Sequence, residues 1–93
     1  MPTATFTTSF GNVYEFSFEQ QTDGSIRPYI VRQPSYGSRD INPHTIHRLK
    51  DGDRYYVCWT TLLKSMNEAM KVAGEWARYT DRFIRTGTPF PTK

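Results

Sequence analysis

The stretch from Ser65 to Gly87 leaves this chain little choice of conformation. Ser65 stands where an N-cap hydroxyl accepts from the Glu68 backbone N–H, and the Glu68 carboxylate is placed to reach back to the Ser65 N–H, which makes a capping box. Gly87 suits the positive-φ residue that follows a helix, and Pro89 forbids continuation. Between these ends Met66, Met70, Ala73, Trp76 with Ala77, Thr80, and Phe83 with Ile84 recur at steps of three and four. The spacing predicts a helix over 66–86 with one apolar stripe, about 30 Å long at about 1.5 Å per residue.

Such a stripe needs a partner surface, and the first half of the chain supplies strands. Residues 5–10 and 13–20 read as strands about Gly11-Asn12, and in the second of them Tyr14, Phe16 and Phe18 alternate with Glu15, Ser17 and Glu19. A two-residue turn at Gly11-Asn12 would set Phe6 opposite Ser17 on the polar face, so an odd loop length or a bulge at Gly11 is expected. Asp23-Gly24 suits a type I′ turn, which pairs Phe18 with Tyr29, Phe16 with Val31 and Glu15 with Arg32. Pro28 places the third strand, 26–33, at a sheet edge. Residues 34–43, with proline at both ends, form a long loop. Residues 44–50 and 54–60 flank Asp51-Gly52-Asp53 as a second hairpin, whose run Tyr55-Tyr56-Val57-Cys58-Trp59 is apolar on both sides of the pleat and so suits a covered strand. The tail 88–93 is expected to be extended, with Phe90 folding back.

The fold class that follows is α+β: an antiparallel sheet of four or five strands built from hairpins, with one long C-terminal helix packed on one face, in a single domain 1–93. Phe16, Phe18, Tyr29, Val31, Val57 and Trp59 are expected to meet Met70, Ala73, Trp76, Ala77, Phe83 and Ile84. Six Phe, six Tyr and two Trp in 93 residues let few side chains close a small core. A hydrophobic fraction of 37% argues for a globular chain and against disorder.

Composition also removes several function classes. The single cysteine, Cys58, excludes an intramolecular disulfide framework and a multi-cysteine metal site, and it suits a reducing compartment. No leader pattern or membrane-spanning apolar run is present, so the cytoplasm is the expected location. His44 and His47 are the two histidines; three apart on a strand they point to opposite faces unless the segment coils there. No nucleophile, metal or phosphate-loop signature exists, so the chain reads as non-enzymatic with no cofactor and no metal.

The net charge of +3 and isoelectric point of 9.2 permit a polyanionic partner, though nine acidic residues are dispersed among twelve basic ones. Two basic sets stand out. Arg39, Arg48, Lys50 and Arg54, interleaved with Tyr36 and Tyr55, belong to the long loop and second hairpin and suit phosphate contact with base stacking. Arg78, Arg82 and Arg85, with Lys71 two turns earlier, lie near one helix face, where Glu75 and Asp81 are within pairing reach. The candidate binding residues are therefore Tyr36, Arg39, Arg48, Lys50, Arg54, Arg78 and Arg82.

From His44 onward, Tyr55-Tyr56-Val57-Cys58-Trp59 followed by Ser65, Glu68, Ala69, Ala73 and Trp76 resembles the second half of three-strand-plus-helix DNA-binding domains of the integrase arm-binding type. The resemblance covers a minority of the chain and implies an architecture, a hairpin packed on a capped helix. Two functions are expected to compete: a nucleic-acid-binding module, and a small regulatory or adaptor protein acting on a protein partner, with a homodimer through a free sheet edge or face as one form of it.

Overall fold

The computed structural model describes residues 2–59 and 62–91. Five strands, β1 (Thr3–Thr7), β2 (Val13–Gln20), β3 (Ile26–Arg32), β4 (Arg48–Asp51) and β5 (Arg54–Val57), form one antiparallel sheet in the spatial order β1-β2-β3-β5-β4. A single-turn helix, α1 (Pro43–Ile46), precedes β4, and the long helix α2 (Met66–Thr86) packs on one face of the sheet. The α+β expectation holds, at five strands and one long helix.

The two ends of α2 follow the caps. Ser65 Oγ accepts from the Glu68 N–H at 3.2 Å, and Gly87, at φ 76°, donates its N–H to the Phe83 carbonyl at 2.8 Å. The Glu68 carboxylate reaches one residue beyond the expected partner and accepts from the Lys64 N–H at 3.0 Å. Along the helix Ala69, Val72, Ala73, Trp76, Ala77, Thr80 and Phe83 are buried. Met70, expected in this stripe, is 40% exposed, because these residues set its centre and Met70 falls on the flank.

Both N-terminal hairpins use the same device. The Gly11 N–H donates to the Thr8 carbonyl and the Thr8 N–H to the Asn12 carbonyl, each at 2.9 Å, so Ser9, Phe10 and Gly11 form a three-residue loop closed by Gly11 at φ 82°. The odd loop length sets Phe6 opposite Tyr14 and Ala4 opposite Phe16, on the apolar face, as expected. The first strand is Thr3–Thr7 rather than 5–10, and Phe10 sits in the loop, 60% exposed.

At the β2–β3 hairpin the Gly24 N–H donates to the Gln21 carbonyl at 3.0 Å and the Gln21 N–H to the Ser25 carbonyl at 2.7 Å, with Gly24 at φ 87°. This three-residue loop replaces the expected two-residue turn and moves the register by one, to Phe16 with Ile30, Ser17 with Tyr29 and Phe18 with Pro28. A one-residue slip inverts the faces. Ile30 packs toward the helix in place of Val31, which is 56% exposed, and Tyr29 is buried on the far face of the sheet. A register shift between Glu15 and Phe16 restores the expected pair of Glu15 with Arg32.

β3 is flanked by β2 and β5, so Pro28 does not mark an outer edge. It marks a seam instead. The ladder to β5 holds Tyr29 with Tyr56 and Ile30 with Tyr55, and it stops beside Pro28, which has no N–H to donate. Ile26, beyond the gap, donates its N–H to the Leu63 carbonyl at 2.7 Å.

The second hairpin starts later than expected. Asn42 accepts from the His44 N–H at 2.9 Å through its side chain and Pro43 fills the first helical position, so 43–46 coil into α1. His47, at φ 52°, ends that turn, and the strands are Arg48–Asp51 and Arg54–Val57 about Gly52 at φ 64°. Residue 60, the last of the expected strand 54–60, and residues 92–93 of the tail lie outside the described residues.

The core lies between β2 and α2. Trp76 meets the Tyr14 and Phe16 rings edge-on at centroid distances of 6.2 and 5.9 Å. Phe18, Val57, Ile46, Leu63 and Phe83 close around them, while Trp59 and Ile84 pack from the rim. Phe90 does fold back, buried with its ring stacked on His47 at 4.9 Å.

Candidate binding surfaces

Paired residues of an antiparallel ladder share a face, so the register assigns each basic side chain to a side of the sheet. Arg48 pairs with the core residue Val57, and Lys50 with Tyr55, which places both on the helix side. Arg54 pairs with Asp51 and lies on the far side with Tyr29 and Tyr56. The loop and hairpin set is therefore split between two faces.

On the helix side the Arg48 guanidinium lies over Tyr55 at 3.8 Å and over Tyr36 at 5.0 Å, and it donates to the Gln33 side-chain oxygen at 3.0 Å. Tyr36 is buried against Phe83, which pushes its phenol pKa up. Lys50 is exposed, 5.9 Å from the Tyr55 ring. Arg39 stands apart from them at the C-terminus of α2, donating to the Ile84 and Arg85 carbonyls at 3.3 and 3.4 Å. Those carbonyls carry the negative end of the helix dipole, so the contact is a helix-terminal one.

On the far side Arg54 lies over the Tyr29 ring at 3.8 Å and forks onto both oxygens of Glu19, the Oε1 contact being 3.2 Å. Arg27 lies over Tyr56 at 4.0 Å and pairs with Asp51 at 3.5 Å, and the Tyr29 hydroxyl donates to the same carboxylate at 2.6 Å. This network, unforeseen because the misassigned turn had put Tyr29 in the core, pairs both arginines and both carboxylates with one another.

Arg78 and Arg82 are differently placed. Both are exposed, with guanidinium carbons 5.6 and 5.7 Å from the Tyr79 ring centroid, and among the described residues neither has a hydrogen-bond or ion-pair partner. They border a groove of about 500 Å³ between α2 and the β1–β2 hairpin, floored by Phe6, Gly74 and Ala77. Gly74 lets the Phe6 ring lie close to the helix: a Cβ on it would meet that ring at 3.1 Å. Arg85 closes one end, over Phe10 at 3.5 Å and 3.7 Å from Asp81. Asp81 is buried and also accepts from the Asn12 side-chain amide at 2.7 Å and the Tyr14 hydroxyl at 3.2 Å. Of the expected helical pairings that of Arg85 with Asp81 is present, whereas among the described residues Arg78 pairs with neither Glu75 nor Asp81.

His44 and His47 do coil toward one another through α1, yet His47 is taken up by its stack on Phe90. Among the described residues no group of three or more His, Cys, Asp or Glu side chains is placed to hold a metal ion. Among the described residues no helix is long and apolar enough to cross a membrane. The chain matches no known protein family, no curated protein and no solved structure.

Proposed function

We propose that this chain is a non-catalytic binding module, acting in the cytoplasm, whose partner is a protein presenting an acidic, part-apolar segment to the groove between β1 and α2. The observation that carries this reading is the pair of uncommitted guanidinium groups of Arg78 and Arg82 on a groove with an apolar floor. Anionic side chains satisfy the rim and apolar ones the floor, a combination that suits a mixed peptide.

Nucleic acid is the second reading, favoured by Tyr79 between two arginines. It is weaker because Arg39, Arg48 and Arg54 are engaged inside the fold. Two guanidinium groups neutralise about two phosphates, against roughly six to ten in strongly salt-dependent binders.

The test is fluorescence anisotropy with a labelled peptide of sequence Thr-Glu-Thr-Glu-Thr-Leu-Thr and with an oligothymidylate. Peptide binding that Arg78→Glu with Arg82→Glu abolishes supports the protein reading. Oligothymidylate binding without peptide binding transfers the function to nucleic acid.

A further inference from the structure

The free edge of β1 lies beside that groove, and its hydrogen-bonding pattern can be read from its two ends. The Phe18 N–H donates to the Pro2 carbonyl and the Thr8 N–H to the Asn12 carbonyl, each at 2.9 Å. Bonding alternates along an antiparallel strand, so Ala4 and Phe6 also direct their backbone groups to β2. Thr3, Thr5 and Thr7 direct theirs outward, which leaves an edge of three N–H and three C=O groups.

This edge lacks the usual protections. Thr3–Thr7 carries no charge and no proline, whereas the opposite edge strand, Arg48–Asp51, is four residues long with three of them charged. An unprotected edge is a template for another strand.

We infer that the partner segment adds to β1 as an antiparallel sixth strand, an inference that rests on the groove reading above and specifies its mode. Side chains of a docked strand alternate between the two faces. Those opposite Thr3, Thr5 and Thr7 stand on the far face beside the threonines; those between point to the helix side and enter the groove. Successive groove-facing residues are about 6.8 Å apart, and successive members of the helix line Met70, Gly74, Arg78, Arg82 rise by about 6 Å, so the two repeats match.

The direction is set by two contacts. Gly74 lies against Phe6 and Arg85 against Phe10, so α2 runs the same way as β1 and the arginines stand toward the Thr7 end. An antiparallel guest enters at that end. Its groove-facing residues are acidic first, at Arg82 and Arg78, and apolar next, toward Gly74, Phe6 and the exposed Met70. A second copy of this chain fits poorly, because the helix-side positions of a β1 guest are Ala4 and Phe6, which bring no carboxylate to the Arg78–Arg82 rim.

The experiment uses the heptapeptide above with single backbone N-methyl groups. Its third threonine, at position 5, directs its N–H to β1, and its second glutamate, at position 4, directs its N–H to solvent. Methylation of that threonine is expected to weaken binding about tenfold or more and methylation of that glutamate to change it little. Thr5→Pro removes an outward donor without touching the β1–β2 ladder and is expected to abolish binding, its fold checked by circular dichroism. The reversed peptide, Thr-Leu-Thr-Glu-Thr-Glu-Thr, keeps the composition and is expected to bind more weakly. Binding that needs Arg78 and Arg82 but ignores both methyl groups and Thr5→Pro overturns strand addition while leaving the groove reading intact. Loss on methylating the glutamate rather than the threonine overturns the antiparallel order. Absence of peptide binding overturns both readings.

Discussion

The Trp76 indole N–H donates to the Ile46 carbonyl oxygen at 2.9 Å in the centre of the molecule. This bond ties α2 to the single turn α1, and through it to the second hairpin. Trp76→Ala removes the largest fully buried side chain and leaves that carbonyl unpaired. The expected loss is about 3–5 kcal/mol, a large part of the roughly 5–15 kcal/mol typical of a domain. Urea unfolding measures it, and an unchanged midpoint would refute the placement of Trp76.

Gly87 closes α2 with φ 76°, and a Cβ there would lie 2.8 Å from Arg39 Nη1. Gly87→Ala thus meets left-handed strain of about 1–2 kcal/mol and displaces the guanidinium that covers the last carbonyls. A fall in melting temperature of about 4–8 °C per kcal/mol is expected for a chain of this size, and thermal unfolding followed by circular dichroism checks it.

Tyr14 sets an alkaline limit on stability. Its burial, with the Asp81 charge and hydrogen bond behind it, raises the phenol pKa above the ordinary 10.0. Above pH 10 the unfolded chain gives up this proton and the native state keeps it, so the native state binds more protons and stability falls as pH rises. The contribution is fully present below pH 10.0. A denaturation series from pH 8 to 11 should show a steeper decline in the parent than in Tyr14→Phe.

His47 acts at the other end of the scale. Burial first, and the neighbouring His44 charge second, hold its pKa below the ordinary 6.5. As pH falls through 6.5 the unfolded chain takes up a proton that the folded chain refuses, so stability present above that value is lost below it. His47→Phe, which keeps a ring on Phe90, is expected to flatten the profile between pH 7 and 5; an identical slope in both proteins would count against the stack.

Residues with local rules were legible in the sequence. Ser65 and Gly87 bound the helix because capping depends on a few neighbouring atoms, and the strict alternation from Tyr14 to Glu19 gave both the strand and its inner face. The failures share a cause. Asp23-Gly24 serves a two-residue type I′ turn and a three-residue loop with glycine at the αL position equally well, and the choice between them decides whether Val31 or Ile30 meets the helix. Of the seven candidate binding residues, Arg78 and Arg82 remain uncommitted on a groove, whereas the partners of Arg39, Arg48 and Arg54 lie on other segments that charge spacing cannot reveal.

The seam at Pro28 leaves a short ladder between two unequal parts of the sheet. Two ladder pairs, with the side-chain ties of Arg54 to Glu19 and Tyr29 to Asp51, join the β1-β2-β3 block to the β4–β5 hairpin. Backbone amides on the two sides are therefore expected to open to solvent separately. Deuterium uptake should place a protection boundary between Tyr29 and Tyr56, with the hairpin exchanging first and the three-stranded block holding its protons until global unfolding.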